Sequence, residues 1–249
     1  AIALGSVKYG AIAPGNLVVS DPRAPLKDVF GGTGISVISD NAVAVNGADF
    51  IIVAVKPWLM EEVLAGIAPL IDRKSQAVVS IAAGISFETF RGSLGVKKYG
   101  GVARFRGIPN PAISPGESAT FIAADNGASA HRLGELHAFF EASGKVYEID
   151  EALMPAVTSL ASSGIAYALK YMDCAVSGAE DMGIERGEAL DIVMQTVRGA
   201  LALLQTNGTQ PQDEIDKVTT PNGVTEKGLR VMDREGFSRA IISALKGRD

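Results

Sequence analysis

Along the first 150 residues, apolar positions gather in short runs closed by polar or turn-forming residues, with stretches of helical spacing between them. Strands are predicted at Asn16 to Asp21, Ile35 to Val37, Phe50 to Val55, Ala77 to Ile81, Val102 to Phe105, Ala119 to Ala123 and Val146-Tyr147. Runs this brief, rich in β-branched residues and bounded by Gly, Pro, Asn or Asp, suit strands covered on both faces. Helices are predicted from Ala1 to Ala13, after a start framed by Pro22 and Pro25, and at Asn41 to Val45, Trp58 to Leu70 and Ala128 to Ala142. The stretch Gly107 to Glu117, with three prolines, is predicted as a loop. Such alternation implies right-handed crossovers and an α/β fold with a doubly wound, Rossmann-like parallel sheet. Ligands of these sheets lie outside the carboxyl ends of the strands. Ser20-Asp21, Lys56-Pro57, Ala82-Ala83-Gly84 and Pro109-Asn110 fall at those ends.

Beyond Asp150 the pattern becomes purely helical, with helices predicted at Glu151 to Met182, Glu185 to Gln205, Gln212 to Lys217, Val224 to Arg234 and Phe237 to Lys246. This divides the chain into a dinucleotide-binding domain, 1–150, and a helical dimerisation and substrate domain, 151–249. The helix from Glu151 is apolar nearly all round, through Leu153, Val157, Leu160, Ile165, Leu169, Met172 and Val176. It is expected to be buried in protein on most sides, with a second subunit as its simplest cover. Ala152 to Leu169 lacks charge, but Pro155, Thr158, Ser159, Ser162, Ser163 and Gly164 make it too polar for lipid.

The front of the chain lacks an opening strand and a G-x-G-x-x-G turn. Gly32-Thr33-Gly34 leads into a strand rather than a helix, so it reads as a helix C-cap. The expectation is that the native protein is longer at this end. Composition narrows the function. The chain of 249 residues is 47% hydrophobic with a formal charge of -5, a globular protein with no basic run for nucleic acid. Its single cysteine, Cys174, is expected to be a buried structural thiol in a reducing compartment, which places the protein in the cytoplasm. His131 and His137, six apart on one helix, make a poor metal pair, and no metal site is expected.

The stretch Val218 to Leu229 holds two threonines, Pro221, Asn222 and Gly223 ahead of an apolar-periodic segment, the signature of a helix start. Free amides at such a start attract an anion, and a small carboxylate is a natural guest. An ordinary capped turn is the plainer reading of this stretch alone.

With these pieces in order, the sequence resembles the pyrroline-5-carboxylate reductase family along nearly its whole length. The resemblance rests on Ser20-Asp21-Pro22, Ala54-Val55-Lys56-Pro57, Ser80 to Ile85, Pro109-Asn110, Ala156 to Tyr167 and the opening stretch. It implies reduction of the cyclic imine 1-pyrroline-5-carboxylate to proline with NADP or NAD as cofactor, by a homodimer or a ring of dimers. It implies cofactor contacts at Ser20, Asn41, Ala54, Val55, Lys56, Pro57, Ala82 and Ala83. It also implies substrate contacts at Asn222, Gly223, Val224, Thr225, Pro109, Asn110 and Ser163, with the Thr225 hydroxyl as the catalytic group near the substrate nitrogen. Asp21 suits the ribose hydroxyls of NADH and Arg23 the 2′-phosphate of NADPH. The chain departs from the family at Ala161 to Tyr167, where the usual motif is S-G-S-G-P-A-Y, and at Asn222 and Val224 in the substrate loop, usually S-P-G-G-T-T. These departures leave open a paralogue acting on another imine, or a nucleotide-binding regulatory protein without turnover.

Overall fold

Val78 and Val79 are fully buried at the middle of a strand in which all four residues are enclosed, and the first unit is layered around them. The computed structural model describes residues 1–22, 26–94 and 101–247, so Arg23, Pro25 and their expected roles lie outside the described residues. The chain divides into two units, Ala1–Ser162 and Ser163–Asp249.

In the first unit, β1 (Val18–Ser20) pairs in parallel with β2 (Ser36–Ile38). A second sheet runs in the order β3 (Phe50–Val53), β4 (Ala77–Ser80), β5 (Ala103–Pro109), β6 (Ser118–Ala124) and β7 (Gly144–Glu148). Helix α1 (Ile2–Lys8) precedes β1, α2 (Leu26–Val29) and α3 (Asn41–Val45) flank β2, and α4 (Met60–Ile67) leads to β4. α5 (Phe87–Ser93) lies between β4 and β5, and α6 (Ala130–Glu141) between β6 and β7. One face of the second sheet packs Val78 and Ile108 against Leu64, Phe90 and Met154; the other packs Val79 and Phe105 against Leu136 and Phe140, with Ile2 alongside. Cover on both faces is what the continuous apolar runs demanded.

The Rossmann-like class holds with a mostly parallel sheet, and three details differ from expectation. β1 and β2 form a separate sheet, and β6 runs antiparallel to β5, with Phe105 opposite Ala124 and Pro109 opposite Thr120. β7 is parallel to β6, so the last two strands oppose the first three. The chain between Pro109 and Ser118 is too short for a parallel crossover, which needs about a dozen residues or more. The strand also continues through Gly107 to Pro109, inside the expected loop, which shrinks to a turn around Pro111–Ile113. Lastly, α1 stops at Lys8, and Gly10 turns the chain with φ 77. That helix docks on the turn after β5: a Cβ at Gly5 would stand 2.9 Å from the Ile113 carbonyl, and the Tyr9 hydroxyl donates to the Ser114 carbonyl at 3.3 Å. Gly144 admits a very close approach of the neighbouring strand, since a Cβ there would overlap the Ser118 carbonyl.

The segment from Glu151 continues through α7 (Met154–Val157) and a π-helical stretch (Thr158–Ser163) into α8 (Gly164–Asp181). The second unit adds α9 (Arg186–Asn207), α10 (Pro211–Val218), α11 (Val224–Arg234) and α12 (Phe237–Lys246). Among its described residues only Val176, Ala189 and Glu214 are buried. Glu151–Asp181 is long and apolar enough by composition to cross a membrane, yet 6% of its most apolar window is buried within the protomer, so the cover expected for this helix is not supplied by its own chain. Cys174, expected inside, is exposed on α8.

Candidate active site

Past β3, the backbone leads from Ala54 and Val55 to Lys56, which stands before a one-turn helix opened by Pro57. Past β4, Ala82 is buried while Ala83 is exposed, and Gly84 turns out with φ 76 and open space where a Cβ would stand. β5 ends at Pro109, and Asn110 follows at 7% exposure. Because β3, β4 and β5 are parallel and hydrogen-bonded in sequence, these residues share one rim. The structure thus brings Ala54, Val55, Lys56, Pro57, Ala82, Ala83, Pro109 and Asn110 together. At the end of β1, the Ser20 hydroxyl donates to Asn41 Oδ1 at 2.8 Å, joining two further candidate cofactor residues. Asp40 caps the short helix that Asn41 begins. Small side chains at Ala54, Ala83 and Gly84, all exposed, leave main chain accessible at the rim, as an extended dinucleotide requires.

Asn110 is held from both ends of its amide. Its Oδ1 accepts from the Ala112 amide at 3.1 Å, and its Nδ2 donates to the Ala161 carbonyl at 3.3 Å. Ala161 belongs to the π-helical stretch, whose widened turn releases carbonyls from the usual ladder, and such bulges often mark functional positions. Ser163, exposed, ends that stretch.

In the second unit the start of α11 is open. Thr220 to Gly223 form a tight turn, with the Gly223 amide donating to the Thr220 carbonyl at 2.9 Å and Asn222 at φ 60. Proline second and a positive φ third are the marks of a type II turn. Glycine, the family's usual residue here, adopts such a φ freely, and asparagine is among the few L-residues that tolerate it. Gly223 cannot carry a side chain here, since its Cβ would meet Thr220 Oγ1 at 2.3 Å. The amides of Val224, Thr225 and Glu226 precede the first intrahelical bond, Lys227 to Gly223, and carry no hydrogen bond among the described residues. Thr225 is exposed, and its hydroxyl is likewise without a partner among them.

Glu226, not singled out from the sequence, pins this turn. Its carboxylate accepts from the Asn222 amide at 2.6 Å and from Arg230 at 2.7 Å, and those two partners hold its pKa below the ordinary carboxylate range. Its place three residues after Gly223 is the spacing of a capping box, a signal present in the sequence. Two ion-pair clusters on β5 were also missed. Asp125 accepts from Arg91 and from the buried Arg104, each at 2.6 Å, and Glu151 accepts from the buried Arg106 at 2.8 Å. Pairing between distant segments leaves no local pattern.

A strand rim open to a dinucleotide, joined in one chain to an exposed apolar helical unit, defines an NAD(P)-dependent oxidoreductase with a helical dimerisation domain. Comparison with known proteins narrows the class. Residues 151–247 match the family described as pyrroline-5-carboxylate reductase dimerisation, and residues 1–84 match NADP oxidoreductase coenzyme F420-dependent. The pyrroline-5-carboxylate reductase of Methanosarcina acetivorans is 34% identical over 98% of this chain and 89% of its own length; that of Synechocystis is 33% identical over 94% and 85%. The fold matches the crystal structure of Plasmodium falciparum pyrroline carboxylate reductase with NADP bound, with a TM-score of 0.89 at 21% identity, over 99% of this chain and 89% of that one. It also matches 1-pyrroline-5-carboxylate reductase from Streptococcus pyogenes, with a TM-score of 0.85 at 25% identity over 98% and 91%. The chain belongs to the pyrroline-5-carboxylate reductase family.

Proposed function

We propose that this protein reduces 1-pyrroline-5-carboxylate to L-proline, with residues 1–150 holding NADPH or NADH and residues 151–249 holding the imino acid and the partner subunit. The observation that carries this reading is the open start of α11, where three amides and the Thr225 hydroxyl stand without partners among the described residues. A helix N-terminus of that kind receives a carboxylate without a basic side chain. Ser20, Asn41, Ala54, Val55, Lys56, Pro57, Ala82 and Ala83 hold the cofactor. The bound nicotinamide supplies a hydride. The chain's own residues bind, align and exclude water, which is most of what this reaction requires, since a protonated imine is already electrophilic. Asn222, Gly223, Val224 and Thr225 fix the acid group, Thr225 Oγ1 accepts the hydrogen bond of the imine N–H, and Pro109, Asn110 and Ser163 complete the proposed set of substrate contacts. The working assembly is a homodimer or a ring of dimers, located in the cytoplasm.

A second reading, a related imine as substrate, is favoured by Ile165 and by Val224, which is 89% exposed where the family usually places a threonine. Initial rates of NADPH oxidation by the full-length protein, with 1-pyrroline-5-carboxylate and with other cyclic and linear imines, separate the two. Turnover on the first compound is the expected result. Turnover on other imines alone supports the second reading. Nucleotide binding without any turnover, followed through the fluorescence of Trp58, the one tryptophan, would identify a silent paralogue and overturn both.

A further inference from the structure

Arg106 lies on β5, three residues before Pro109, and is 6% exposed. In register it stands opposite Ser80, the last residue of β4, and opposite Ala123 of β6. Its Nη1 donates to Glu151 Oε1 at 2.8 Å. The same oxygen accepts the backbone N–H of Phe87, the first residue of α5. The Ser86 side chain caps α5 by accepting from Thr89, so Glu151 satisfies a second amide that the helix start leaves free. A single carboxylate oxygen therefore ties together the middle of β5, the exit of the loop after β4, and the entry into the helical segment.

Stability alone is a poor reason for this arrangement. The Arg106 side chain is 7% exposed and the Glu151 side chain 35%, so burying the guanidinium costs hydration while water still screens the carboxylate, and such a pair contributes little net stability. Charge-assisted hydrogen bonds do offer direction and fixed length. Only Ile81 to Ser86 separate the end of β4 from Phe87, and Ala82 and Ala83 lie within that loop. Pinning Phe87 fixes the loop's far end, while β4 fixes its near end.

We infer that Arg106 and Glu151 form a positioning pair that sets the cofactor loop after β4 against the middle of β5. This rests on the assignment of Ala82 and Ala83 to the cofactor. The test compares the whole protein with its Glu151→Ala and Glu151→Gln variants. Nucleotide dissociation constants come from Trp58 fluorescence, and KM and kcat from steady-state rates. Glu151→Ala is expected to raise both the dissociation constant and KM for NADPH about tenfold, equal to about 1.4 kcal/mol. KM for the imino acid and kcat at saturating nucleotide should stay within about twofold, because neither residue touches the reacting atoms. Glu151→Gln keeps an acceptor for Phe87 and should show a smaller rise of about threefold, a partial rescue. A general loosening of structure would instead lower kcat and raise both KM values together, and that result overturns the inference. Should Glu151→Ala fail to fold, wild-type nucleotide affinity in Glu151→Gln overturns it equally. If the unaltered protein binds nucleotide and the variants match it, the positioning role falls and the cofactor site stands. If the unaltered protein binds no nucleotide, the cofactor site itself falls, and the inference with it.

Discussion

Asn222 has the only positive φ at a non-glycine position among the described residues, and it does so at the mouth of the candidate substrate site. Sequence comparison alone marks this residue as a departure from a family glycine. The backbone shows why the change is tolerated: the turn needs a left-handed residue, and asparagine adopts that conformation at modest cost. Asn222→Gly is therefore expected to change stability by less than about 0.5 kcal/mol. Asn222→Val should cost about 1–2 kcal/mol and raise KM for the imino acid, because a β-branched residue resists positive φ. Urea unfolding and steady-state kinetics on both variants check this, and equal behaviour of the two would remove strain from the account. Thr225 is exposed, and its hydroxyl carries no hydrogen bond among the described residues, so its removal should cost little stability. Thr225→Ala is expected to lower kcat by about tenfold to a hundredfold, in the range of a positioned hydrogen bond, with nucleotide affinity nearly intact. A rate equal to wild type would exclude Thr225 from the chemistry.

Among elements, those with strong local signals stand where the pattern predicts them. α3, α11 and α12 begin and end at the expected residues, because each is bounded by Asp, Gly or Asn in a capping role that acts within a few positions. What local pattern misses is direction. The same alternation of apolar runs serves β5 and β6 whether parallel or antiparallel, and only the short Pro109 to Ser118 connection decides between them. The junction of α9 and α10 shows a further dependence on contacts a few residues beyond local reach. Glu214 Oε1 accepts from Lys217 at 2.7 Å, Thr209 at 2.5 Å and Asn207 at 3.0 Å. These bonds, with Lys217 the strongest influence, pull its pKa from the ordinary 4.5 to about 2. Since the folded value is the lower one, the stabilisation is present above about pH 4.5 and disappears as pH falls through about 2. Glu214→Gln should therefore destabilise the protein near pH 6 and differ progressively less from wild type as the pH drops towards 2. Thermal melts of both proteins across that range measure it, and a pH-independent difference would contradict the assignment.

For the whole molecule, the decisive feature is the scarcity of buried residues in the helical unit. Leu169, Tyr171, Leu190, Ile192, Met194, Leu201 and Leu203 are all exposed in the protomer. An apolar surface of this extent needs cover, and the matched family description for these residues is a dimerisation domain. Oligomerisation is thus part of the fold, and the melting temperature should rise with protein concentration. Leu201→Glu is expected to shift sedimentation towards the monomer and lower the melting temperature. An unchanged sedimentation coefficient would show that this face of α9 is not the one covered.

The sequence by itself determined most of the strands and helices, though not α5 or the full length of β5, together with the family and the residues that line the strand ends, because apolar period, caps and turn chemistry act over a few neighbouring positions. It also disclosed an apolar helix in need of cover, with a second subunit as the simplest source of it. Only the tertiary structure decided that β6 and β7 run against β3, β4 and β5, that Cys174 lies on an open surface, and that Arg106, Glu151 and Phe87 meet. Those outcomes depend on how segments far apart in the chain come to lie beside one another, and no local spacing of residues encodes that.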